Sequence, residues 1–161
     1  MAKFTGKKAI EQAIKTERKG ADFYGALADR FADDEDLTEI FSRLSKDETD
    51  HEQQFTRILD SIPEESPEED DEQSLVLQAT APSAFFTPDL MRVDTTLEAK
   101  DALARALNFE RASLLHYMTL NETLQSEWLK AIIYAERKHV KVLMTVMLND
   151  AKFRGLADTW S

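Results

Sequence analysis

Asp47-Glu48-Thr49-Asp50-His51 is the stretch whose reading decides the fold. Glu48 and His51 lie three residues apart, and on an α-helix that spacing puts a carboxylate and an imidazole on one face, a turn apart. One Glu-x-x-His is a weak signal, because surface helices carry it by chance. A second stands at Glu136-Arg137-Lys138-His139, and these two frames take up two of the three histidines in the chain. A four-helix bundle that encloses a dinuclear metal site requires two such motifs and one further Glu from each of the other two helices.

The flanking sequence supplies those two acids. Ile10, Ala13, Ile14, Ala21, Tyr24, Leu27 and Phe31 recur with a helical period, and Glu17 falls on the same apolar face. A second helix, about Leu37 to Ile62, turns Ile40, Leu44, Glu48, His51, Phe55, Ile58 and Leu59 inward. Asp36 with Glu39 three residues later resembles a capping box for its start, and Pro63 ends it. A third helix, capped by Asp94 or Thr95 and running to about Thr123, faces inward with Leu103, Leu107, Glu110, Leu114, Tyr117 and Leu120. A fourth, Ser126 to Asn149, presents Leu129, Ile132, Glu136, His139, Leu143 and Met147. A charge that faces a core is costly unless it is paired or bound to metal.

The halves of the chain repeat. Ala13, Glu17, Arg18 and Tyr24 recur as Ala106, Glu110, Arg111 and Tyr117, offset by 93 residues. Leu44, Glu48, His51 and Phe55 recur as Ile132, Glu136, His139 and Leu143, offset by 88. The fold expected is therefore all-α: an antiparallel four-helix bundle of two hairpins, 6–62 and 94–150, joined by a long crossover, 63–93, with a tail at 151–161. A connection of that length can run along the bundle, so that the third helix starts at the same end as the second. Glu64 to Gln73 is acidic and polar and is read as a solvated loop, with attraction of Fe²⁺ as its alternative role. Leu75, Val76, Leu77, Phe85, Phe86 and Leu90 are too apolar for a free linker and are expected to pack along the bundle or against a partner subunit.

Composition narrows the chemistry. The 161 residues suit one domain, and their four glycines, four prolines and abundance of helix formers favour helix over sheet. Cysteine is absent, which removes disulfides, thiolate catalysis and iron–sulfur clusters and leaves oxygen and nitrogen to hold any metal. A net charge of −11 argues against nucleic acid, although eight of the acids lie between Asp60 and Glu72 with no base among them. No apolar run approaches the roughly 20 residues that span a membrane, and the N-terminal residues do not read as a secretory signal, so a cytoplasmic location is expected.

The candidate metal ligands are Glu17, Glu48, His51, Glu110, Glu136 and His139. Carboxylate-rich sites with one imidazole per metal suit iron or manganese, with zinc as a possible substitute. Glu48 and Glu136 are placed to bridge two metals, with Glu17 and His51 at one end and Glu110 and His139 at the other. Asp47 and Asp50 are candidate acceptors for the outer nitrogen of His51. Tyr24 and Tyr117, each seven residues past a ligand Glu, are read as hydrogen-bond donors to ligand carboxylates rather than redox-active phenols. His116 lies off the ligand face and is read as an exposed or packed histidine. Met144 and Met147 are read as core filling.

Glu17 with Tyr24, Glu48 with His51, Glu110 with Tyr117 and Glu136 with His139 together resemble the rubrerythrin-like branch of the ferritin-like diiron-carboxylate superfamily. The resemblance covers all four helices and misses the acidic crossover. It implies a ferritin-like bundle holding two iron ions and an oxidoreductase that oxidises Fe(II) or reduces oxygen or peroxide. Rubrerythrins usually add a cysteine-ligated iron that feeds electrons to the site. This chain has no cysteine, so an external electron donor is expected. They also carry a Glu one turn before the third-helix Glu. Leu107 stands there, which implies less preference for peroxide. A homodimer is expected. The alternatives are an iron-storage subunit of a larger assembly and a metal-bound interaction module without turnover.

Overall fold

The computed structural model describes residues 6–62, 71–82 and 86–149. Five helices are present among them: α1 (Gly6–Arg30), α2 (Glu35–Ser61), α3 (Asp71–Thr80), α4 (Ala99–Leu124) and α5 (Glu127–Asn149). The four long ones form the helical bundle read from the sequence, and no strand occurs among the described residues. Pro63, most of the acidic stretch, Phe85 and the tail 151–161 lie outside the described residues.

Helix starts differ from the sequence reading. The N-cap of α2 is Asp34, not Asp36: its Oδ1 accepts from the backbone N–H groups of Asp36 and Leu37, at 3.1 Å each. Asp33, Asp34 and Asp36 can each cap a helix, so local chemistry alone leaves the register open. The α4 start moves from 94–95 to Ala99. Asp94 instead closes a turn, taking the backbone N–H and the hydroxyl of Thr96 on Oδ1, while the cap residue Glu98 makes no side-chain cap. Between α4 and α5, Gln125 adopts left-handed backbone (φ 49°, ψ 43°) and returns its N–H to the carbonyl of Asn121. The Asn121 side chain takes the N–H of Ser126, whose hydroxyl receives that of Leu129 and so starts α5.

The crossover contains α3, a helix missing from the sequence reading. Its apolar content lacks helical order. Leu77 is buried, whereas Leu75 and Val76 are 66% and 43% exposed, so only part of the apolar segment packs on the bundle. Leu77 joins one core cluster with Ala9, Ile10, Ala13, Phe55, Ile58, Tyr117, Leu120, Leu129 and Ile132. The later crossover residues Phe86, Met91, Val93 and Leu97 pack on a second cluster around Phe23, Leu27, Phe41, Leu44, Leu103, Leu107 and Leu143. The connection therefore travels from one cluster to the other. Arg30, at the end of α1, donates to the carbonyls of Asp94 and Thr95 just before α4, so α1 and α4 run antiparallel.

In every long helix the candidate ligands lie between the residues of the two clusters. Glu17 falls between Ala13 and Phe23, Glu48 and His51 between Leu44 and Phe55, Glu110 between Leu107 and Tyr117, and Glu136 and His139 between Ile132 and Leu143. A polar layer thus divides the apolar core in two.

Candidate metal centre

All six candidate residues are buried, none more than 5% exposed. Their donor atoms converge in two groups, each with its atoms within 4.8 Å of one another: Glu17, Glu48, His51 and Glu136, and Glu48, Glu110, Glu136 and His139. Glu48 and Glu136 belong to both. Each offers one oxygen to each histidine. Glu48 places Oε2 at 3.7 Å from His51 Nδ1 and Oε1 at 3.4 Å from His139 Nδ1. Glu136 places Oε1 at 3.0 Å from His51 Nδ1 and Oε2 at 3.5 Å from His139 Nδ1. Glu17 Oε2 is 3.7 Å from His51 Nδ1, and Glu110 Oε2 is 3.3 Å from His139 Nδ1. The imidazole rings face each other with centroids 5.5 Å apart.

The tyrosines cross between helices. Tyr24 of α1 donates to Glu110 Oε1 of α4, and Tyr117 of α4 donates to Glu17 Oε1 of α1, both at 2.5 Å. The spacing explains the crossing: seven residues rise about 10.5 Å along a helix, so neither phenol can reach the Glu of its own helix. In an antiparallel pair the same distance brings each phenol level with the opposite Glu. One oxygen of each terminal carboxylate is thereby fixed, and the other is left to face the cluster.

The electrostatics are those of four acids crowded in a dry core. Burial, followed by the charges of Glu17 and Glu136, pushes the Glu48 carboxyl well above its usual range. Burial and the charge of Glu110 push Glu136 up to about 8. Burial also works upward on Glu110, but the close approach of Glu136 and the hydrogen bonds with His139 and Tyr24 hold it at about 2. Burial disfavours the His51 and His139 cations, yet the surrounding carboxylates outweigh it and hold both above the ordinary histidine range. Burial and the nearby Glu110 and Glu17 raise the Tyr24 and Tyr117 phenols, so both stay protonated as donors.

The donor set fits a pair of metal ions. Both oxygens of Glu48 and of Glu136, Oε2 of Glu17 and Nδ1 of His51 are buried without a hydrogen-bond partner. Even the 3.0 Å approach of Glu136 to His51 lacks hydrogen-bond alignment. Unpaired polar atoms of this kind are rare in a folded core, because each costs about 1–3 kcal/mol. These six converge on the two positions that Glu48 and Glu136 share.

A family model described as Rubrerythrin matches residues 8–147, through all four long helices and the crossover. The chain belongs to the rubrerythrin family. No curated protein and no solved structure matches it. Membership of the rubrerythrin family and the buried carboxylate–histidine cluster fit a diiron site. No helix among the described residues is long and apolar enough to cross a membrane. Leu107, which stands where the resemblance calls for a further Glu, is fully buried in the apolar cluster of Tyr24 and Phe41.

One expectation for the residues around the site is corrected. Asp47 does not serve His51. Its Oδ2 lies 3.0 Å from Nε2 of His139 on the other hairpin, and that bond holds the Asp47 carboxyl below its usual range. Position 47 is one residue before Glu48 and so is rotated by about 100° from the ligand face, towards α5. The helix neighbour that it meets is a tertiary fact, and the sequence motif does not encode it. A groove of about 790 Å³ between α2 and α5 reaches Asp47 and the outer edge of His139. His116 is packed rather than exposed: it is buried, its Nδ1 lies 3.0 Å from the Thr80 hydroxyl of α3, and burial lowers it to about 4.

Proposed function

We propose that this chain is a non-haem diiron oxidoreductase of rubrerythrin type. In this reading Glu17, Glu48, His51, Glu110, Glu136 and His139 hold two iron ions. The observation that carries it is the split of Glu48 and Glu136, each giving one oxygen to either histidine. A pair of Fe(II) ions supplies two electrons together, enough to reduce peroxide to water or to begin reduction of oxygen.

The protein's own residues set the conditions. Glu48 and Glu136, which belong to both donor groups, would serve both ions, and Glu17 and Glu110 would each add a carboxylate to one of them. Tyr24 and Tyr117 hold the other oxygens of those end carboxylates by donating to them. Asp47 holds the Nε2 proton of His139 and leaves Nδ1 to face the site. Phe55 packs on Tyr117 at 4.9 Å and Phe109 on Tyr24 at 6.1 Å, so aromatic rings shield the cluster from water. Manganese or zinc would fit the same donors as substitutes. The electrons are restored by an external donor, since the chain has no cysteine to hold a further, electron-feeding iron. The working form is a homodimer in the cytoplasm, and its substrate is a small oxidant.

The test mixes anaerobic Fe(II)-loaded protein with oxygen or with peroxide and follows ferric absorption over time. Wild type is expected to oxidise in both cases. Glu48→Ala combined with Glu136→Ala, which removes the shared carboxylates, is expected to abolish the fast phase. Equal rates in the two proteins would reject the reading.

A further inference from the structure

The internal repeat makes the two hairpins near-copies, and that sharpens the one place where the site departs from the copy. Asp47 precedes Glu48 on α2. Its counterpart on α5, 88 residues on, is Ala135, directly before Glu136. A methyl group accepts no hydrogen bond. His139 therefore has a carboxylate on its outer nitrogen, with Asp47 Oδ2 3.0 Å from Nε2, and no such partner stands on the outer nitrogen of His51 among the described residues. Of the two acids beside His51, Asp50 is exposed and Glu52 is taken by Arg18 at 2.6 Å.

We infer that the two metal positions are inequivalent, and that the one built on Glu110 and His139 binds first and more tightly. The inference rests on the diiron reading above. Asp47 acts as a positioning residue. Its hydrogen bond holds a proton on Nε2, so Nδ1, which faces the oxygens of Glu48, Glu110 and Glu136, is the nitrogen that would take the metal. It also fixes the ring orientation before metal arrives and raises the basicity of the ligand nitrogen. His51 enters the same step with its tautomer and ring orientation unselected. The rest of the inner set is matched in donor types between the positions: one terminal Glu held by a crossed tyrosine, two shared carboxylates and one Nδ1, with His139 Nδ1 in addition 3.3 Å from Glu110 Oε2, a bond that metal would replace. The outer carboxylate is thus the difference in donor support that remains.

The experiment titrates chelator-stripped full-length protein with Co²⁺ under anaerobic conditions. Heat of binding and the visible absorption of the cobalt centre are the readouts, and neither depends on turnover. Wild type is expected to show two steps of unequal affinity. His139→Ala should remove the tight step, which assigns it. Asp47→Asn keeps the shape of the side chain and is expected to weaken the tight step about 10- to 100-fold while leaving the weaker one unchanged. A general loss of structure would move both. Ala135→Asp supplies the missing carboxylate and should bring the weaker step towards the tighter one. Two equal steps in wild type, or an Asp47→Asn titration that matches wild type, would overturn the inference and leave the diiron reading standing. Absence of any cobalt binding in wild type would overturn both.

Discussion

Removing metal and raising the pH is expected to destabilise this protein, the reverse of ordinary acid unfolding. Glu136 is fully buried, and burial followed by the charge of Glu110 lifts its carboxyl from 4.5 to about 8. A raised folded value means that the folded chain holds the proton more tightly than the unfolded chain. That stabilisation is complete below about pH 4.5 and is lost as pH rises through about 8. Glu48 is shifted in the same direction, and so are His51 and His139, whose pairing adds slope of the same sign above about pH 6.5. Glu110 and Asp47 are lowered, so their contribution is lost only as pH falls below about 4, outside this window. At about 1.4 kcal/mol per unit, Glu136 alone removes about 3 kcal/mol between about pH 5 and pH 8. That is a large share of the ~5–15 kcal/mol that holds an ordinary domain together. The assay is urea unfolding of chelator-treated protein, followed by helical circular dichroism at steps across that range. A parallel series with saturating Mn²⁺ should instead rise to about pH 6.5 and then level, because metal excludes the protons that the unfolded histidines still hold below that pH. Metal-free stability that stays flat or rises over the same window would refute the reasoning.

Tyr24→Phe with Tyr117→Phe should cost the metal-free protein about 3–6 kcal/mol, at ~1.5–3 kcal/mol for each bond to a carboxylate, read as a fall in the urea midpoint. His116→Gln should keep the full metal content by elemental analysis while losing about 1 kcal/mol of stability with the Thr80 contact.

The inward face of each long helix was legible because burial enforces a 3.6-residue period, and polar residues that keep that period stand out against it. Glu17 and Glu110 could be picked from many acids for this reason, and the offsets of 93 and 88 tied them to Glu48 and Glu136. The fold class followed from the same periods. Three features were not legible, each for its own reason. In α3, Leu75, Val76 and Leu77 are consecutive, and only contact with α4 and the core cluster selects Leu77 for burial. The start of α2 lies in an acidic run where Asp33, Asp34 and Asp36 can all cap. The partner of Asp47 depends on which helix lies beside α2, and spacing within α2 carries no such information. Local sequence encodes what a helix turns inward; it does not encode which neighbour receives what points sideways.

Neither hairpin completes a metal position alone. The position at His51 draws Glu17, Glu48 and His51 from the first hairpin and Glu136 from the second. The position at His139 draws Glu110, Glu136 and His139 from the second and Glu48 from the first. The crossed tyrosines repeat that exchange, and Asp47 adds one more link from α2 to α5. The tyrosine and Asp47 ties at the site therefore run between hairpins, through a layer where the apolar core is interrupted. Without metal, burial favours protons on Glu48 and Glu136, and the carboxylates favour them on the two imidazoles. With metal the same donors become a cross-link between the halves, and binding free energy adds to folding free energy because the unfolded chain has no such site. The polar layer that makes the metal-free bundle sensitive to pH is thus the layer that metal would make its strongest joint.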